Sequence, residues 1–170
     1  MEIVFKAKHW QIFGTFVAFA FVGSMIENIN PIVDAVFNIF MVSVILGWIL
    51  MLGHGLSRRL NTLDSIEFKI FKAAGILLIV SASLSKILMT THITEPRGHS
   101  IVFMTFLGIY TLTLLTITFT FPAKTLKRLE TKEEIDINDY FGDIFGLIFW
   151  PIGIWTIQPR INKLIDNKVE

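Results

Sequence analysis

The sequence predicts an all-α membrane protein: a four-helix transmembrane bundle with a C-terminal interfacial or re-entrant segment, five transmembrane helices being the alternative. Three observations lead there. Hydrophobic residues fill 53% of the 170 positions and mean hydropathy is +0.64, too apolar for an ordinary soluble fold. Four apolar runs approach the ~20 residues a helix needs to cross a hydrocarbon core ~30 Å thick. Lysine and arginine gather in alternate connections, as the positive-inside rule requires of a multi-pass chain.

The predicted spans lie near 10–26, 35–53, 73–89 and 101–121, within a single integral membrane domain over 1–170. The first follows Lys6 and Lys8 and mimics a signal peptide. Its apolar run continues past Ala18-Phe19-Ala20, so it reads as a retained helix. The second has Asp34 just ahead of it, and the third carries Lys86 near its end. The fourth ends at Pro122, a natural helix stop or kink. Beyond it, a polar run containing Glu130, Glu133 and Glu134 reads as a solvated helical extension with no site.

The segment near 140–158, containing Ile148-Phe149-Trp150-Pro151-Ile152-Gly153-Ile154-Trp155, is harder. Only 14 residues, 144–157, are free of charge, a length typical of re-entrant or interfacial segments. With the N-terminus cytoplasmic, a segment that turns back places 13 basic residues inside and two outside. A fifth crossing makes the division 10 to 5, so the positive-inside rule favours a segment that turns back or lies flat. Trp150 and Trp155 suit headgroup depth, with Arg160 and Lys163 in reach of phosphates. Asp and Asn residues at 136–139 suit the cap of a short helix.

Membrane helices associate through close backbone approach and polar contacts. Small residues recur at the required spacing at Gly14 and Ala18, Ala20 and Ser24, Ser43 and Gly47, and Ser81 and Ser85. Gly75 and Ala82 share the stripe of Lys86, marking it as a packed face.

Polar groups suited to binding a ligand gather at the expected non-cytoplasmic end. Asp34, Asn38 and Lys86, with Glu27, form a candidate outward-facing pocket for a small polar ligand, a headgroup or a proton. The competing reading is a structural Asp34–Lys86 ion pair orienting the second and third helices. His92, Glu95 and His99 are weak metal candidates, because their spacing suits no single helical face and Pro96 interrupts it. The chain contains no cysteine and none of the motifs of serine hydrolases, zinc proteases or nucleotide-binding loops. No cofactor and no catalytic residue is expected, and the net charge of +1 argues against a nucleic-acid partner.

The start Lys8-His9-Trp10-Gln11 and the ending Trp150-Pro151-Ile152-Gly153-Ile154-Trp155 through Gln158-Pro159-Arg160-Ile161-Asn162 resemble a set of uncharacterised small polytopic bacterial membrane proteins. The resemblance covers about a tenth of the chain. It implies a bacterial integral membrane protein whose C-terminal segment is a shared structural element, and carries over no catalytic residue. The expected setting is the plasma (cytoplasmic) membrane, multi-pass, with a cytoplasmic N-terminus. The expected partners are the lipid bilayer and a membrane protein or second copy of the chain. Function is expected to be non-enzymatic, with a small transporter or ligand-binding protein as the alternative.

Overall fold

A computed structural model of the chain describes residues 8–26, 30–90 and 100–166, and among these every regular element is a helix. In order they are α1 (His9–Ile26), α2 (Pro31–Leu60), α3 (Ile66–Thr90), α4 (Ser100–Thr131), α5 (Ile137–Ile148) and α6 (Trp150–Asp166). The first four are long and apolar enough to cross a membrane. The fold is therefore an all-α, multi-pass membrane type.

Helices α2 and α4 outrun their apolar windows. At 30 and 32 residues they measure roughly 45 and 48 Å, well beyond a core of ~30 Å. The excess has local causes. Asn30 caps α2 by accepting from the Ile32 amide at 2.8 Å, and Pro31 occupies a first-turn position where its missing donor costs nothing. Asn61, at φ 55°, ends that helix in a left-handed cap. Helix α4 does not stop at Pro122. It runs on to Thr131, with Pro122 fully buried, so the polar extension as far as Thr131 is one helix with the apolar span, while Glu133 and Glu134 lie beyond the helix end.

Ring and side-chain contacts fix the direction of each neighbour. Phe19–Phe40 and Gly23 against Phe37 set α1 antiparallel to α2. Gly53 against Phe71 and Gly75 against Leu50 do the same for α2 and α3. The stacked Phe71–Phe121 pair, centroids 4.5 Å apart, aligns α3 with α4. Helices α2, α3 and α4 form a three-helix core around Ile49, Leu56, Phe71 and Leu126. Glycine permits this closeness at Gly53 and Gly75, where any side chain would meet Phe71 or Leu50. The pairings suggested by Gly14–Ala18 and Ser43–Gly47 are not used in this way, since the space beside Gly14 and Gly47 is open.

The C-terminal segment is a helical hairpin. Asp136 and Asp139 form a reciprocal capping box that starts α5, and the chain reverses at Phe149. Pro151 does not break the segment; it lies in the first turn of α6, where its missing N–H would have no intrahelical acceptor. The two arms cross where the Cα of Gly153 lies against the Gly146 carbonyl, so closely that a Cβ at Gly153 would strike it. At 12 residues, α5 is only about 18 Å long, too short to cross. Trp150 at the tip meets Phe16 with centroids 4.8 Å apart, while Trp155 meets His9 at 4.6 Å. The tip thus reaches about 10 Å along α1 before the chain turns back. Both arms open toward the same end of the bundle, and neither is among the four helices long and apolar enough to cross a membrane.

That end is basic. Among the described residues, every lysine and arginine except Lys86 lies toward it, including Arg160 and Lys163.

Candidate functional site

Two polar centres stand at opposite ends of the bundle. At the end remote from the hairpin, the first turn of α2 presents Asp34, where a carboxylate also complements the helix dipole. Lys86, near the end of α3, places Nζ 2.8 Å from Asp34 Oδ2. One turn on from Asp34, Asn38 Nδ2 donates to Asp34 Oδ1 at 2.6 Å and to the Asp34 carbonyl at 2.9 Å. Both carboxylate oxygens are therefore engaged, and the three side chains form a closed set. The structure brings Asp34, Asn38 and Lys86 together. Glu27 and the metal candidates His92, Glu95 and His99 lie outside the described residues. Among the described residues, no three histidine or acidic side chains are grouped to hold a metal ion.

The second centre, at the basic end, is built around Arg160 on α6. Its Nε and Nη2 donate to the two oxygens of Glu130 on α4, at 2.7 and 2.5 Å. Nη2 also donates to Asp143 Oδ2 on α5 at 2.9 Å, and Nη1 pairs with Asp143 Oδ1. A planar guanidinium fork can bind two carboxylates edge-on in this way; a lysine cannot. The Glu130 hydrogen bonds, opposed by burial and reinforced by Asp143, push the guanidinium above its already high ordinary pKa. Arg160, its side chain partly buried, is thus engaged by carboxylates on α4 and α5.

Around this clasp the hairpin is tied down further. Arg59 Nη1, at the end of α2, donates to the Leu164 carbonyl of α6 at 2.8 Å. Phe13 packs edge-on against Trp155, with centroids 5.7 Å apart. Trp155 remains half exposed, Trp150 is mostly covered by Phe16, and Lys163 is exposed. On the far side of the core, Lys124 of α4 pairs with Glu67 of α3 at 3.0 Å. Where the ends of α2, α4 and α6 converge there is a cleft of about 680 Å³, lined in part by Arg59, Lys132, Glu133 and Leu164.

Sequence reasoning missed Glu130 and Asp143. Glu130 sits in a run of mixed charge that has the composition of a solvated face, and nothing in its spacing points thirty positions ahead to Arg160. Asp143 reads only as the charge that limits the apolar segment. The one signal available was geometric: a segment that turns back must bring Asp143 and Arg160 to the same end.

No protein-family model matches the chain, and no curated protein or solved structure matches it.

Proposed function

We propose that the protein works without chemistry of its own, as a multi-pass membrane protein that associates with a second copy of itself or with another membrane protein through α1. The observation that carries this reading is the outward face of α1. Trp10, Gly14, Ala18, Phe21 and Met25 recur at helical spacing and are all exposed, on the side opposite Phe16, the buried residue of that helix. Within that stripe, Gly14 and Ala18 form a small-xxx-small pair, and nothing stands within 4 Å of a Cβ placed at Gly14. In lipid, where apolar burial gives little gain, such a pair lets another backbone approach closely.

The ligand-binding alternative draws less support, because both oxygens of the Asp34 carboxylate are already engaged, by Asn38 and Lys86. In keeping with the basic end, the reading places the N-terminus and the open end of the hairpin in the cytoplasm, within a bacterial plasma membrane.

Because the chain has no native cysteine, Gly14→Cys and Ala18→Cys can each be oxidised in membranes without background. Disulfide-linked dimers at these two positions, and none at Thr15→Cys on the flank of the helix, are expected for self-association. Crosslinks to a different membrane protein at the same positions would name a partner. Absence of any crosslink, with a monomeric mass in native-like discs, would remove the reading.

A further inference from the structure

The cleft between the ends of α2, α4 and α6 has a charge pattern that the hairpin clasp does not explain. Of the ions that line it, Glu130 is consumed by Arg160, and Arg128 leans away to Glu67 at 3.8 Å. Three are left without an ionic partner among the described residues: Arg59, Lys132 and Glu133. Arg59 spends one N–H on the Leu164 carbonyl, and no carboxylate among the described residues pairs with it. Leu60 and Leu129 supply an apolar wall beside these ions. The cleft lies at the basic end, just where the apolar spans of α2 and α4 finish. A volume of about 680 Å³ falls in the range of small-molecule sites.

We propose that this cleft binds the headgroup of a phospholipid that carries a primary ammonium. The phosphate diester lies against Arg59 and Lys132, the ammonium donates to Glu133, and the upper acyl chains run along the leucines. Two cations and one carboxylate match the one negative and one positive charge of such a headgroup. A choline headgroup offers Glu133 no N–H, and a glycerol headgroup offers it no cation. A competing effect exists: three helix C-termini meet here, each with a partial charge of about −0.5, and cations there complement helix dipoles even with no ligand. That alternative does not call for an unpaired Glu133 among them, and it predicts no preference among lipids.

The test uses the full chain purified in a non-ionic detergent, with thermal stability measured on adding defined lipids. Phosphatidylethanolamine is expected to stabilise at lower concentration than phosphatidylcholine or phosphatidylglycerol, with diacylglycerol and inorganic phosphate inert. Lys132→Gln and Glu133→Gln alter exposed side chains and should leave the lipid-free melting temperature unchanged. Each should weaken the phosphatidylethanolamine effect about fivefold, the value of one charge near a headgroup. Equal stabilisation by all three phospholipids, or variants that respond like the parent chain, would overturn the proposal. Stabilisation by inorganic phosphate alone would also overturn it, since the source would then be a free anion.

Discussion

Glu130 on α4 accepts two hydrogen bonds from Arg160 on α6, thirty residues further along the chain. With Asp143 on α5 completing the set, one guanidinium joins three helices at the open end of the hairpin. At 12 residues, α5 is too short to span a core of ~30 Å. The hairpin's position rests on this clasp, on the Arg59–Leu164 bond and on the aromatic contacts with α1.

Truncating the shared residue should therefore cost more than removing a surface ion pair. Arg160→Ala leaves Glu130 and Asp143 facing each other, and is expected to lower stability by about 2–3 kcal/mol in a denaturant titration. Arg160→Lys should recover less than half of that, since an ammonium cannot serve two carboxylates edge-on. Full recovery by lysine would show that charge alone is needed.

The same pair has a defined pH response. The folded-state pKa of Arg160 is raised, so its contribution is fully present below the unfolded value and is lost only as pH rises past it. Titration of Arg160 itself should thus give no change in stability between about pH 6 and 9. Comparing the parent chain with Arg160→Gln across that range should give a constant difference.

At the hairpin crossing, Gly153→Val should be more damaging than its size suggests. The added Cβ meets the Gly146 carbonyl, which is backbone and has no rotamer to yield. A loss of about 1–3 kcal/mol is expected, with increased protease sensitivity after residue 136.

Two glycines on α2 make an internal control. Gly47 faces open space, so Gly47→Ala should be neutral or stabilise by up to about 1 kcal/mol through helix propensity. Gly53 faces the Phe71 ring, and Gly53→Val should cost about 1–3 kcal/mol. Thermal unfolding of the two variants in one detergent decides it.

At the far end, Asp34→Asn should cost on the order of 1 kcal/mol, because the pair is partly exposed. Exchanging the two residues, Asp34→Lys with Lys86→Asp, should restore much of the loss. Failure of the exchange alongside normal folding of each single variant would argue that the site has a role beyond joining α2 and α3.

How much of this the sequence carried depends on the kind of force involved. The four spans were legible because crossing a bilayer demands a long apolar run, and the Asp34–Lys86 pair followed from matching depths on adjacent helices. That the C-terminal segment turns back or lies flat was read from its short uncharged length, and the hairpin reverses at Phe149. The helix ends were not legible, since neither a proline nor charges at the edge of an apolar window need end a helix, as Pro122, Lys124 and Lys127 within α4 demonstrate. Of the close approaches only Gly75 was, through the stripe it shares with Lys86; Gly53 and Gly153 were not, and the better-spaced Gly14–Ala18 pair faces outward. Spacing identifies a face of a helix but not the helix that will cover it. The Glu130–Arg160 clasp was hidden for the same reason, being set by where the hairpin returns rather than by anything local.

The half-depth hairpin is the claim on which the rest depends, and labelling single cysteines with an impermeant thiol reagent tests it most directly. Asn138→Cys at the start of α5 and Lys163→Cys near the end of α6 are both exposed, and Ile148→Cys marks the tip. The account predicts that the first two react from the same side of the membrane, which sidedness controls should identify as the cytoplasm, while the tip stays protected from both sides. Reaction of Asn138→Cys and Lys163→Cys from opposite sides would mean that the segment crosses, and would contradict it.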